Sequence, residues 1–199
     1  MSATLSPNAL ELVLRHEGLN QAARVPPADS GVTLGYGYDL AHHSAGELLD
    51  DWRPFLSDNQ LLRLKAVVGL SGESARSAAK TLGDIVVSPQ AARAVFLRSS
   101  VPKYMAMTVT AFPGFEVLPA DAQGALFSLV YNRGPSMVGD RRKEMRAIRD
   151  AVAKGDLKEI TVQLRAMKRL WVGQGLPGLL KRRDDEAALV ESCIIVESP

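Results

Sequence analysis

Two carboxylates stand where acid–base chemistry can use them. His16-Glu17-Gly18 puts one at a helix stop, and Gly31-Val-Thr-Leu-Gly-Tyr-Gly-Tyr-Asp-Leu40 puts another, Asp39, just past two bare glycines. A pair of carboxyl groups facing one bond is enough for hydrolysis, one protonating the leaving oxygen and the other activating water. Glu17 closes a helix at the edge of its apolar stripe, where partial desolvation favours the protonated form a general acid needs. The plainer reading is an ordinary last-turn glutamate.

The elements that position these groups are legible nearby. Ser6-Pro7 is an N-cap serine with proline at the first helical position; Leu10, Val13, Leu14 and Glu17 then share a face until Gly18 stops the helix. From Val32 to Leu40 the residues alternate with period two. As one strand, Val32, Leu34, Tyr36, Tyr38 and Leu40 would pack, while Thr33, Gly35, Gly37 and Asp39 would line the opposite face. Glycines weaken a strand, so two of them among polar groups point to the close approach of a ligand such as a flat sugar ring, or of another backbone. The alternative is that Gly35 and Gly37 mark a bulge or a turn.

These residues resemble the phage-type lysozymes or muramidases, glycoside hydrolase family 24. Glu17-Gly18 is similar to the Glu-Gly helix end of that family, and Thr33-Leu34-Gly35-Tyr36-Gly37 to its hairpin motif. Ala125-Leu-Phe-Ser-Leu-Val-Tyr-Asn-Arg-Gly134 resembles the family's central helix. Trp171 with Gly178-Leu-Leu-Lys-Arg-Arg-Asp-Asp-Glu-Ala-Ala-Leu189 resembles its closing tryptophan and arginine-pair helix. The three blocks cover about a third of the chain in the family's order. One departure matters. The common form carries its aspartate ahead of the threonine, where this chain offers Asp29, whereas pesticin-like bacteriocins and some secreted cell-wall toxins place it after the glycines, as Asp39 stands here. Asp29 lies in a Pro-Pro-Ala-Asp-Ser-Gly turn, where aspartate is at home for local reasons. Asp39 is the preferred second carboxylate, with Asp29 as the alternative.

The resemblance implies an α+β, mostly α, lysozyme-like fold. Its small strand-containing lobe would span about residues 18–70, and its larger helical lobe 71–199 with the helix 7–17. It further implies hydrolysis of the β-1,4 bond between N-acetylmuramic acid and N-acetylglucosamine, with inversion. Glu17 would be the acid, Asp39 the base and Thr33 the residue fixing the water; Tyr36, Tyr131 and Asn132 would bind substrate. No metal and no cofactor are implied. The expected partner is peptidoglycan, with an immunity protein if the chain is a toxin; nucleic acid and membrane insertion are not expected, and a monomer is. Two rivals remain open: a lytic transglycosylase in which glutamate acts alone, and a catalytically silent glycan- or nucleic-acid-binding helical protein.

Composition agrees with a folded domain. The 199 residues are 46% hydrophobic, enough for a full core. A single cysteine, Cys193, excludes an internal disulfide and reads as a buried inert thiol in its Ile-Ile-Val surroundings. No classical export signal and no membrane span are expected, so a cell-wall substrate would be reached by another route. The net charge of +2 is uneven: residues 1–132 hold 10 Lys+Arg and 12 Asp+Glu, and 133–199 hold 14 and 10. The basic part suits an anionic polymer.

Along the rest of the chain the start signals are local. Ser44-x-x-Glu47 and Ser57-x-x-Gln60 are capping boxes, the second opening a stripe of Leu61, Leu62, Leu64, Val67 and Val68. His42-His43 reads as a loop pair, since adjacent histidines point apart. A short helix is expected over 73–82, another after Ser88-Pro89 that Pro102 must kink or break, and a central apolar helix over 122–131 begun by Asp121. Helices near 142–153 and 157–170, the latter capped by Asp156, precede a last one over 179–192. That one is expected to expose Lys181-Arg182-Arg183 and bury Leu189-Val190.

Overall fold

The computed structural model describes residues 4–26 and 29–196. The chain is mostly helical: α1 Pro7–Glu17, α2 Ala45–Trp52, α3 Asp58–Lys65, α4 Gly72–Ala79, α5 Pro89–Val95, α6 Val101–Ala111, α7 Ala120–Arg133, α8 Lys143–Val152, α9 Leu157–Ala166 and α10 Pro177–Val196. A small antiparallel sheet, β1 Asn20–Arg24, β2 Thr33–Gly35 and β3 Tyr38–Asp39, follows α1 in the order β1-β2-β3. Among the described residues no helix is long and apolar enough to cross a membrane.

The chain divides into two compact units, one made of the residues up to His16 and from Pro102 onward, the other of Glu17–Val101. The sequence suggested a division near residue 70; in the structure α4 packs on β1 and α5 on β2, which carries the strand-containing unit on to Val101. Its core gathers Leu34, Tyr38, Leu40, Leu48, Trp52, Leu61, Leu64, Ile85 and Val95. Both capping boxes form, with Ser44 and Ser57 each accepting the N–H three residues on while Glu47 and Gln60 reach back. Leu62, expected in the buried stripe, is instead 67% exposed, because α3 turns only Leu61 and Leu64 inward. Ser88 caps α5 as its sequence indicates. Pro102 does not break the helix that follows: the chain widens to π-helical bonding over Phe96–Ser100, with Val101 N–H reaching the Phe96 carbonyl just before the residue that lacks a donor.

In the other unit α7 is buried along most of its length, and α10 packs on both α7 and α9. Ser6 Oγ accepts the Ala9 N–H at 3.1 Å and donates to Asp121 Oδ1 at 2.5 Å, while Asn8 donates to Asp121 Oδ2 at 2.8 Å, so one carboxylate at the start of α7 ties down the start of α1. The buried stripe of α1 is Ala9, Leu12 and Val13, rotated from the expected Leu10, Val13 and Leu14, which leaves Leu10 and Leu14 half-buried. The cause is Gly124: a Cβ there would stand 2.0 Å from Ala9 Cβ, so α1 and α7 approach at a distance only glycine permits.

The expectation for α10 is corrected more sharply. Arg182 and Arg183 are 3% and 0% exposed, not surface residues. Arg183 Nη2 donates to Glu186 Oε1 at 2.6 Å, Arg182 Nη2 to Ser128 Oγ at 3.0 Å and to the Ser128 carbonyl at 3.1 Å, and Ser128 Oγ to Glu186 Oε1 at 2.6 Å. A charged helix face is buried here because it brings its own carboxylate one turn on.

His16 belongs to the same unit, its Nε2 donating to Asp185 at 2.8 Å. Burial holds the imidazole below its ordinary value, outweighing the hydrogen bond to Asp185 that pulls the other way. Asp185 stays below the usual carboxylate range because hydrogen bonds from Lys181 and His16 more than offset its burial. A neutral ring donating to a carboxylate satisfies both. Since the folded value of His16 lies below the unfolded one of about 6.5, its contribution is complete above that pH and is lost as pH falls through the folded value. Denaturation midpoints should therefore decline as pH drops below about 6.5, and His16→Gln should flatten that part of the profile.

Candidate active site

Glu17 is the last residue of α1 and the first of the strand-containing unit. Gly18, at φ +64°, takes the left-handed conformation that ends the helix, and Glu17 is half-buried beside that stop.

The stretch expected as one strand is a hairpin. β2 and β3 pair antiparallel with Leu34 opposite Tyr38 and Thr33 opposite Asp39, and Gly35 and Gly37 supply positive φ values of 62° and 72° around the turn. The turn, one of the two readings of these glycines, is the one realised. The close approach at Gly35 is also protein: a Cβ there would stand 3.2 Å from the Trp52 ring and 3.4 Å from Ala92 Cβ, so that glycine faces the core rather than a ligand. Val32, Leu34, Tyr38 and Leu40 are buried as the alternation requires, but so is Thr33, at 4% exposed.

The hairpin brings Thr33 and Asp39 together as direct cross-strand partners. Both are also tied to the backbone of the preceding loop. Thr33 Oγ1 donates to the Gly31 carbonyl at 3.2 Å; Asp39 accepts the Gly31 N–H on both oxygens, at 3.1 and 3.2 Å, and the Ala41 N–H on Oδ1 at 2.9 Å. Asp39 thereby caps a short 3₁₀ turn over Leu40–His42, a second role that its Asp-x-Ala setting carries in the sequence. Asp29 is elsewhere: it is exposed, with Oδ1 beside Gly72, and it is not in the hairpin.

His43, read from the sequence as a loop residue, and Asp51, Arg98 and Ser99, not singled out there, hold this hairpin. The His43 ring stacks on Tyr38 at 3.8 Å between centroids, and its Nδ1 donates to the Asp39 carbonyl at 2.7 Å. Tyr38 O–H donates at 2.8 Å to Asp51, which Ser99 also contacts through its hydroxyl, while Arg98 Nη2 donates to the Asp51 carbonyl at 2.6 Å. Burial, then the neighbouring Asp51, pushes the Tyr38 hydroxyl well above its ordinary value, so it is a fixed donor. The π-helical turn is what carries Arg98 and Ser99 to Asp51; nothing local in the sequence announces that contact. Tyr36, at the hairpin tip, is half-buried with its ring 6.2 Å edge-on from Phe96.

Gly31 is the tightest point. A Cβ there would lie 2.4 Å from Asp39 Oδ1 and 2.7 Å from Ala41 N. Gly31→Ala should displace the Asp39 carboxylate and cost about 1–3 kcal/mol, read as a lowered denaturation midpoint.

Tyr131 and Asn132 lie in the other unit, near the end of α7. Tyr131 packs on Tyr104 at 4.4 Å and on Phe127 at 5.9 Å, and the Asn132 Oδ1 is buried with no hydrogen-bond donor from the protein. Among the described residues no group of three or more His, Cys, Asp or Glu side chains could hold a metal ion.

No protein-family model matches this chain, and no curated protein is significantly similar to it.

Proposed function

We propose that this protein is a muramidase related to glycoside hydrolase family 24, cleaving the β-1,4 bond between N-acetylmuramic acid and N-acetylglucosamine in bacterial peptidoglycan. On this reading the fold is lysozyme-like, with the Glu17–Val101 unit as the strand-bearing lobe and the helical unit as the larger one. The observation that carries the reading is the pairing of Thr33 with Asp39 on a hairpin that closely follows a helix ending in Glu17-Gly18. A hydroxyl and a carboxylate side by side can share one water, Thr33 orienting it and Asp39 taking its proton, while Glu17 protonates the departing oxygen. Inversion requires the carboxyl groups to stand about 6.5–9.5 Å apart, leaving room for that water. The substrate places the site of action at the cell wall, and a toxin version would need an immunity protein in the producing cell.

One observation favours a second reading. Both Asp39 oxygens already accept backbone N–H groups, which suits an aspartate that shapes the loop while glutamate acts alone, as in a lytic transglycosylase. The experiment is digestion of purified sacculi with mass analysis of the fragments. Hydrated muropeptides support the hydrolase; anhydro products, one water lighter, support the transglycosylase; no fragments at all would set both aside.

A further inference from the structure

The segment 133–146 holds Arg133, Arg141, Arg142, Lys143 and Arg146 against two carboxylates, Asp140 and Glu144. Both acids turn to a cation from outside the segment: Arg169 Nε lies 2.5 Å from Glu144 Oε1, and its Nη1 lies 3.5 Å from Asp140 Oδ2. The arginines of the segment use backbone carbonyls instead. Arg133 Nη2 donates to the Arg141 carbonyl at 2.8 Å, Arg142 Nη2 to the Arg133 carbonyl at 2.6 Å, and Arg146 Nη1 to the Met137 and Gly139 carbonyls at 2.7 and 2.9 Å.

Carbonyls satisfy hydrogen bonds but do not neutralise charge, and Glu144, already paired with Arg169, offsets the Arg133 charge only in part. Arg133 Nε and Arg142 Nη1 are buried and have no acceptor from the protein. The Arg133 guanidinium lies 4.8 Å from the centre of the Trp171 ring, whose π face holds it in place without neutralising it. Burial first, and then the charges of Arg142, Arg183 and Arg141, pull Arg133 down to about 10, and burial with Arg141 lowers Arg142. Guanidinium groups that repel one another, half-buried and each holding a donor without an acceptor, need a counter-charge.

We propose that Arg133 and Arg142, with the exposed Arg141 at the rim, form an oxyanion-binding site on the loop between α7 and α8, taking the two-oxygen edge common to a carboxylate and a phosphate. Guanidinium donors match that edge better than any other side chain. The site lies within one unit and does not depend on the glycan-cleaving reading.

The test is calorimetric titration of the intact protein, without glycan, at low ionic strength, using inorganic phosphate in one arm and N-acetylalanine in the other. Binding should weaken about tenfold in Arg142→Gln, where a charged hydrogen-bond donor is lost, and several-fold in Arg141→Gln, while Arg149→Gln, whose arginine pairs with Asp150, should match wild type. Binding of phosphate alone identifies a phosphate ligand, and binding of N-acetylalanine a carboxylate one. Arg141 is exposed, so its variant keeps the test sound if Arg142→Gln fails to fold. Absence of binding by both anions, or binding unchanged in the Arg141 and Arg142 variants, would overturn the proposal and leave these arginines as braces of the loop.

Discussion

Replacing Glu17 by Gln is expected to cut fragment release from sacculi by at least about a hundredfold while leaving the thermal melt where it was. The amide keeps the size of the side chain and its place at the end of α1 but has no proton of suitable acidity to give a departing oxygen. Gly18, not Glu17, terminates the helix, so the stop survives the change. Retained lysis in a folded variant would remove Glu17 from the chemistry and, with it, the proposed activity. Asp39→Asn must be read beside it and beside its own melt. The amide oxygen of asparagine can still accept from both Gly31 and Ala41 as Oδ1 does, and only the second Gly31 contact, at Oδ2, meets an NH₂ that cannot accept, so the cap should survive at a cost of no more than about 1 kcal/mol. Loss of lysis beyond what a mildly destabilised control outside the hairpin, Ser128→Ala, shows at a temperature where both are folded would assign Asp39 as the base. Lysis preserved in Asp39→Asn, with anhydro products, would instead assign the reaction to Glu17 alone. Asp29→Asn should be silent in every assay, since Asp29 is exposed and lies outside the hairpin.

The largest stability effect is expected at Glu186. Its Oε1 accepts from Arg183, Arg182 and Ser128 at 2.6, 3.3 and 2.6 Å, and the residue is 0% exposed. Glu186→Ala removes the carboxylate the two buried guanidiniums share, which costs about 3–5 kcal/mol because a charge stripped of its partner in the interior cannot recover its water. Glu186→Gln retains an acceptor and should fall between the variant and wild type. Ser128→Ala removes one hydrogen bond and should cost about 1 kcal/mol. Urea denaturation separates the three; equal midpoints for wild type and Glu186→Ala would mean that the arginines find other acceptors.

Where the sequence read correctly, the information was local. Ser44 with Glu47, Ser57 with Gln60, Ser88 before Pro89, and Asp156 ahead of α9 each mark a helix start within three or four residues, and each forms its cap. A cap is a contract between neighbours, so tertiary packing has little to change. The turn at Gly35 and Gly37 was also present as one of two readings, since glycines mark positive φ as well as close approach, and period-two alternation persists through a tight hairpin. Alternation alone cannot tell a straight strand from one folded back on itself.

Pairings over long sequence separation emerge only once the chain has folded. Arg182 and Arg183 read as surface charges because charge normally means exposure, and only Ser128 on α7 and the inward turn of Glu186 make their burial tolerable. Asp51 meets Arg98 and Ser99 only because of the π-helical turn over Phe96–Ser100, and Gly124 dictated which face of α1 is buried. Local sequence set which residues begin helices and which glycines could turn the chain. The fold determined which charges are buried, which glycines serve packing, and that Thr33 faces Asp39, because burial and cross-strand register depend on groups that meet only once the chain has closed.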